Sequence, residues 1–275
     1  MIEGDGDVLR NENRIAEISS MWEEALANWK VPDQLLARAA KSPYRLNPAK
    51  FRPDPSRRLS GTVQELERLI HDQPRSPHSL LDVGSASGSL SLLVVDQVDK
   101  VIALDQSREM LDAFEENAKE LGVFERVTTV HSPWPSPIPL KADIVLSANV
   151  LYNVPNPAKF IDALIGAAGQ SVVIELTQNH PLSIVNELYQ RFHTLDRPTI
   201  PTADYIVDLV EAFGYSPRVE RWIRSTTNDR ITAEERLTEY QSRACIEETR
   251  KEELRQYLLE HELPMAEVVM VAFEI

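Results

Sequence analysis

The chain has 275 residues and a single cysteine, Cys245. A disulfide needs two, so no small disulfide-held scaffold applies, and a reducing, cytoplasmic setting is expected. No run of 18 apolar residues is present, which excludes an ordinary transmembrane helix. The first residues, MIEGDGDVLRNENR, are acidic and polar, unlike a signal peptide. Basic residues are in the minority, 29 Lys and Arg against 43 Asp and Glu, giving a formal charge of −14. Nucleic-acid affinity is dominated by phosphate neutralisation, so this balance counts against DNA or RNA as substrates. Metal chemistry lacks support as well. The six histidines, at 71, 78, 131, 180, 193 and 261, are scattered, and there is neither an H-x-x-x-H pair nor a cysteine cluster. Missing too are the G-x-x-x-x-G-K-[ST] phosphate loop and the G-x-S-x-G nucleophile elbow.

What remains is a chain long enough to bury a large core, 43% hydrophobic, with three textures and no internal repeat. Residues 1–60 read as a helical extension, with Ile15, Ile18, Trp22, Ala25, Leu26 and Trp29 at helical spacing. Pro32 can start a second short helix through Leu35, Leu36 and Ala39. A proline-rich stretch follows, in which residues 38–58 carry seven Arg or Lys against one acid, Asp54. That local excess is either a solvated connector or an arm over the active site that attracts an anionic ligand. Residues 61–223 alternate helix and strand. Strands are expected at 79–84, 100–105, 127–131, 143–148, 171–176 and 218–223, and their Val, Ile and Leu content indicates a sheet buried on both faces. Between them, helices are expected from Thr62–Glu65 as a capping box, from Gly88, over Met110–Leu121, over 158–168 ending at Gly169, over 182–193, and over 203–213 between a Thr202 cap and Gly214. Prolines 133, 135, 137 and 139 force an irregular loop. Residues 224–275 begin with a polar turn, offer a second capping box at Thr232–Glu235, continue as acidic helices near 233–246 and 249–260, and end in a strand over 267–273. The division expected is an extension over 1–60 acting as a lid, and a catalytic domain over 61–275 with a helical insertion at about 224–262.

The strongest local signal is LDVGSASGSLS, residues 81–91, between a hydrophobic strand and the following segment. Gly84 permits a turn that a side chain would obstruct, and Gly88 permits close approach. Ser85 and the small residues at 86, 87 and 89 leave room for a ligand, and a helix start here would offer amides to a carboxylate. Asp82 can face a cation or ammonium. Asp105 ends VIALD, 23 residues after Asp82, where an acid can accept hydrogen bonds from two ribose hydroxyls. The glycine spacing is not the G-x-G-x-x-G of a dinucleotide site, because Ala86 stands between Gly84 and Gly88.

D-x-G-x-A-x-G followed by V-I-A-L-D resembles the class I S-adenosylmethionine-dependent methyltransferases, over roughly residues 61–223 and the last strand. Family members usually have glycine where this chain has Ala86. The resemblance implies an α/β, doubly wound Rossmann-like sheet of seven strands in the order 3-2-1-4-5-7-6, the last antiparallel. It implies S-adenosyl-L-methionine as cofactor, with Asp82, Gly84 and Gly88 around the methionine portion and Asp105 on the ribose hydroxyls. Gln106 and Met110 would lie near ribose or adenine, Ser132, Pro133 and Trp134 near adenine, and Asn149 near the reactive methyl. The arm with Trp29, Pro32 and SPYRLNPAKF, the segment NVLYNVPNP, and ELTQNHPLSIVNELYQRFHTLDRP are similar to small actinobacterial-type members of unassigned substrate.

Methyl transfer from a sulfonium is an in-line displacement, so alignment and water exclusion supply much of the catalysis. A base is needed only when the nucleophile keeps its proton at neutral pH. Candidate acceptor-side residues lie past strands four and five: Tyr152 to orient an acceptor, His180 to take a proton, and Arg191 and His193 at the rim. Each also has a structural reading, as loop packing, a helix-start histidine, or surface. Glu175 can touch the cofactor edge or form a buried pair. Trp22, Trp29 and Phe51 read as packing residues first and as a lid second. The preferred function is methylation of a small-molecule oxygen or nitrogen, the basic stretch allowing an anionic acceptor. Three alternatives stay open: an RNA or protein methyltransferase, an NAD-type oxidoreductase, and a non-catalytic adenosylmethionine-binding protein.

Overall fold

The computed structural model describes residues 4–44, 46–72, 78–224 and 232–275, with side chains from residue 11 onward. Arg45 of the basic stretch and most of the polar turn after residue 224 lie outside the described residues. Seven strands form one sheet: β1 (Ser79–Val83), β2 (Lys100–Asp105), β3 (Val127–His131), β4 (Ala142–Ala148), β5 (Ala168–Thr177), β6 (Arg218–Ile223) and β7 (Glu267–Glu274). Their order is β3-β2-β1-β4-β5-β7-β6. β7 runs antiparallel to both of its neighbours, while the pairs from β3 to β5 are parallel. This is the doubly wound order and orientation that the family resemblance implies.

Successive strand residues point to opposite faces, so each strand feeds two cores. Leu81, Val83, Val145, Val172 and Ile174 pack under α1 (Gly4–Ala27), α5 (Pro157–Ala167) and α7 (Asp204–Ala212). Leu80, Val101, Ala103, Ile144 and Met270 pack under α3 (Gly61–Asp72) and α4 (Arg108–Glu120). A third cluster joins α6 (Asn186–His193), α8 (Ala233–Arg243) and α9 (Lys251–Glu260) to Val31 and the short α2 (Asp33–Leu36). Trp22 and Trp29 belong to the packing: they are 0% and 3% exposed, and their indole N–H groups donate to the carbonyls of Val154 and Ile200. Among the described residues no helix is long and apolar enough to cross a membrane.

Four local expectations fail, each for a physical reason. No α-helix follows Gly88; residues 91–93 and 95–97 form two 3-10 turns instead. Gly88 has φ +89° and the β-branched pair Val94 and Val95 follows, so the segment turns twice without propagating a helix. Gly169 does not stop α5 as a left-handed residue, because the helix passes at Ala168 directly into β5. Thr62 does not cap α3. It lies inside the helix and its hydroxyl donates to Glu175, while Glu65 pairs with Arg68 and Arg218. Thr202 does not cap α7 either; its hydroxyl donates to Asp204, and Ala203 holds the cap position. The second capping box, Thr232 with Glu235, forms in full. Gly214 ends α7 at φ +93° as expected.

Candidate active site

The carboxyl ends of the parallel strands β1, β2, β4 and β5 lie side by side along one edge of the sheet, the edge where open α/β sheets form their ligand crevice. The chain leaves β1 through Gly84 at φ +75°, and the amides of Gly84 and Ser85 both donate to the Leu104 carbonyl at the end of β2. A side chain at position 84 would collide with Val150, and one at 88 with Leu92 and Phe114. Ala86, at φ 44°, holds a left-handed conformation that glycine adopts at less cost. Its amide donates to Asp105 Oδ2 at 2.9 Å, and the amide of Ser107 donates to Asp105 Oδ1 at 2.8 Å. Asp105 therefore fixes both the glycine-rich turn and the entry to α4. A carboxylate has about four acceptor directions, so each oxygen still has capacity for a hydroxyl.

Asp82 is 3% exposed and accepts from the Ser91 hydroxyl at 2.5 Å. Burial pushes its carboxyl up from the ordinary 3.8 to about 7; the Ser91 hydrogen bond opposes this and the charge of Asp105 adds to it. Ser85 Oγ, in the same turn, is buried with no hydrogen-bond partner among the described residues. A raised, buried acid, an orphaned hydroxyl in the following turn and positions there closed to Cβ atoms fit a ligand with a cationic group. Residues 106, 110 and 132 ring the β2 side. Gln106 is exposed and its carbonyl lies 3.0 Å from His131 Nε2, Met110 is buried, and the Ser132 amide donates to the Asp105 carbonyl at 3.1 Å. Pro133 is exposed, whereas Trp134 turns toward α5 and donates its indole N–H to the Phe160 carbonyl.

Past β4, Asn149 takes φ 59° and donates through its backbone amide to the Glu175 carbonyl at 2.6 Å. Its side-chain amide donates to Glu175 Oε1 at 3.0 Å. Glu175 thus takes the buried-pair alternative. It is 1% exposed and also accepts from Arg57, Thr62 and Arg224. Burial alone would raise its carboxyl, but Arg224, Arg57 and the Thr62 and Asn149 hydrogen bonds outweigh burial and hold it below the usual range. Sequence reasoning misses Arg57 and Arg224. Arg57 is one cation among seven in its stretch, and Arg224 follows β6 with no motif around it.

The acceptor-side candidates separate into two places. Tyr152 and His180 meet beside the crevice in an aromatic stack: Trp22 on Tyr152 at 5.2 Å, Trp29 on His180 at 4.1 Å, and Tyr152 edge-on to His180 at 5.3 Å. The Tyr152 hydroxyl donates to the carbonyls of Thr177 and Gln178, both at 3.0 Å, and burial raises its ionisation above the ordinary range. His180 Nδ1 accepts from the Leu182 amide at 3.1 Å, which leaves the proton of the neutral ring on Nε2. Burial, aided by the charge of Arg197, lowers His180 to about 3. Arg191 and His193 lie with the helical cluster instead. Arg191 reaches Glu253 at 4.0 Å with a largely exposed side chain, and His193 Nε2 lies 2.7 Å from the Ala244 carbonyl. Among the described residues no cluster of three or more metal-type ligands exists.

Residues 81–166 match the protein family described as a methyltransferase domain. No curated protein matches the chain. Solved structures of similar fold include the YcgJ protein of Bacillus subtilis, 16% identical, with a TM-score of 0.54, covering 77% of this chain and 98% of that one. A methyltransferase from Geobacter sulfurreducens in complex with S-adenosylhomocysteine is 17% identical, with a TM-score of 0.54, covering 89% of this chain and 98% of that one. The magnesium protoporphyrin IX methyltransferase of Synechocystis, with bound S-adenosylhomocysteine, is 14% identical, with a TM-score of 0.51, covering 77% and 80%.

Proposed function

We propose that this chain, a class I S-adenosylmethionine-dependent methyltransferase, methylates an oxygen or nitrogen of a small molecule. The observation that carries the reading is the placement of Asp82, the turn of Gly84 to Gly88, Asp105 and Asn149 together at the carboxyl ends of neighbouring parallel strands. Bound there, S-adenosylmethionine supplies a methyl on a positively charged sulfur. Asp105 would hold the ribose hydroxyls, Asp82 would face the ammonium, and Asn149 would border the methyl. Gln106, Met110 and Ser132 would line the nucleoside end. The Trp22–Tyr152–His180–Trp29 stack would form a dry wall that keeps water from the alignment.

Three observations support a small acceptor over a polymer or a dinucleotide. Cations of the basic arm are spent on local acids: Lys50 on Glu239, Arg52 on Glu120, and Arg58 on Glu67. A positive groove for phosphates would leave them facing the cleft. The glycine-rich turn is not followed by a helix N-terminus, the element that receives a pyrophosphate. The arm also closes the methionine end, since the Ser87 hydroxyl donates to the Pro48 carbonyl and Arg57 donates to Ser89. We read residues 46–60 as a wall or lid on that ground. The Synechocystis protein of the same fold, a magnesium protoporphyrin IX methyltransferase, acts on a small molecule. Buried Cys245, beside the Tyr189 hydroxyl, suits the cytoplasmic setting.

Because His180 keeps its proton on Nε2 and Tyr152 is committed to two carbonyls, neither is built to take a proton from the acceptor. We read both as positioning residues, and Arg191 and His193 as parts of the helical cluster. Transfer of radiolabelled methyl from S-adenosylmethionine into fractions of a metabolite extract tests the function. Label in a small-molecule fraction is expected. Label only in RNA or protein, or none in any fraction, would overturn it.

A further inference from the structure

Glu175 is shared by two guanidiniums in the crevice. Its side chain has no solvent exposure, and three donors converge on Oε1: Arg57 Nη2 at 2.9 Å, Arg224 Nη2 at 2.5 Å and Asn149 Nδ2 at 3.0 Å. Thr62 takes Oε2 at 2.6 Å. One arginine would suffice to balance the buried carboxylate. The second adds a positive charge in excess and repels the first, in a chain that is elsewhere strongly acidic. Both side chains keep an outlet, being 24% and 34% exposed. Arg57 also donates to Ser89 of the glycine-rich turn at 3.2 Å, so the charge sits on the methionine side of the crevice beside Asn149. Other cations of the same arm meet acids of their own, as Lys50 meets Glu239.

We propose that Arg57 and Arg224 form the recognition site for a carboxylate carried by the methyl acceptor. This deepens the methyltransferase reading and rests on it. Guanidinium N–H groups present a planar fork that matches a carboxylate in two-point fashion, and pairing there would complete the charge balance that Glu175 leaves unfinished. A carboxylate so clamped has its lone pairs tied up, so it serves as a handle while another atom of the acceptor takes the methyl.

The test uses benzoate and phenylacetate, each against its carboxamide, with calorimetry on the full chain in the presence and absence of S-adenosylhomocysteine. The variants Arg57→Met and Arg224→Met each leave one guanidinium for Glu175, and a thermal melt confirms their fold. The acids are expected to bind about tenfold or more tighter than the amides, with that preference falling at least about fivefold in each variant, while S-adenosylhomocysteine affinity changes little in Arg224→Met. Equal binding of acid and amide, or no acid binding up to about 10 mM, overturns the assignment. So does a large loss of S-adenosylhomocysteine affinity in Arg224→Met, because the arginine pair would then hold the cofactor's own carboxylate. If wild-type protein failed to bind S-adenosylhomocysteine at all, the methyltransferase reading would fall. The acid–amide comparison without it would still decide the role of the two arginines.

Discussion

Replacing Asp82 by asparagine should make the cofactor-free protein more stable at pH 8 and bind the cofactor less well. Asp82 is driven from the ordinary 3.8 to about 7, with burial as the main cause. A folded-state value above the unfolded one means that the folded chain holds a proton the unfolded chain has released, so stability falls as pH rises through that window. The penalty begins near pH 4, grows until about pH 7, and is complete above it. A carboxyl raised from 3.8 to about 7 costs the fold about 4 kcal/mol at pH 8, and about 1.5 kcal/mol at pH 5. Asparagine carries no charge to desolvate, and its carbonyl can still accept from Ser91. The variant should therefore gain on the wild type by about 2–3 kcal/mol between pH 5 and pH 8. Urea unfolding of both proteins across that range, without cofactor, measures it. A stability difference that is flat with pH, or that moves the other way, would refute the buried-acid account of Asp82. Titration of S-adenosylhomocysteine into the same variant should show weaker binding, since a charge that costs stability in the empty crevice is one a cationic ligand would use.

Other consequences follow from single contacts. Ala86→Gly removes a left-handed alanine and should stabilise the chain by up to about 1 kcal/mol with cofactor affinity retained; a loss of stability in thermal melts would mean that the turn is not strained there. Tyr152→Phe takes the hydroxyl donor from the Thr177 carbonyl, while the Gln178 carbonyl keeps the Ala203 amide, at a cost of about 1–2 kcal/mol in urea unfolding; unchanged stability would show that the hydroxyl points elsewhere. His180, lowered to about 3, stays neutral from pH 5 to pH 8, so its ring resonances should not move across that range by NMR. An inflection near 6.5 would contradict its burial between Trp29 and Tyr152.

The sheet is legible in the sequence because its information is local and redundant. Val, Ile and Leu runs such as VIALD and SVVIEL define strands buried on both sides, and the spacing from Asp82 to Asp105 is set by one strand–turn–strand unit. The features that escape depend on partners distant in sequence. Thr62–Glu65 and Thr232–Glu235 are the same motif to a reader of the sequence, yet only the second forms. The first is drawn apart by Glu175 and Arg218, which lie 113 residues from Thr62 and on β6 respectively. The missing helix after Gly88 shows the same limit, since a glycine-rich turn seeds a helix only where the following residues can propagate one. At the site, Asp82, Gly84 and Asp105, named from the motif, sit at the carboxyl ends of β1 and β2, whereas the acceptor side has only proximity in sequence to point to it. Arg191 and His193 follow His180 closely along the chain but face α9 and the Ala244 carbonyl. Arg57 and Arg224, far apart along the chain, converge on one carboxylate and leave no local signal.

The central claim is that the crevice binds an adenosyl cofactor through Asp105. Calorimetry of S-adenosylhomocysteine and NAD against wild-type protein and Asp105→Ala tests it most directly. One molecule of S-adenosylhomocysteine per chain is predicted, with affinity at least about tenfold weaker in the variant, where the ribose contacts and the anchor of Ala86 and Ser107 are lost together, and with no comparable binding of NAD. Tight binding of NAD alone, or S-adenosylhomocysteine affinity indifferent to residue 105, would contradict it.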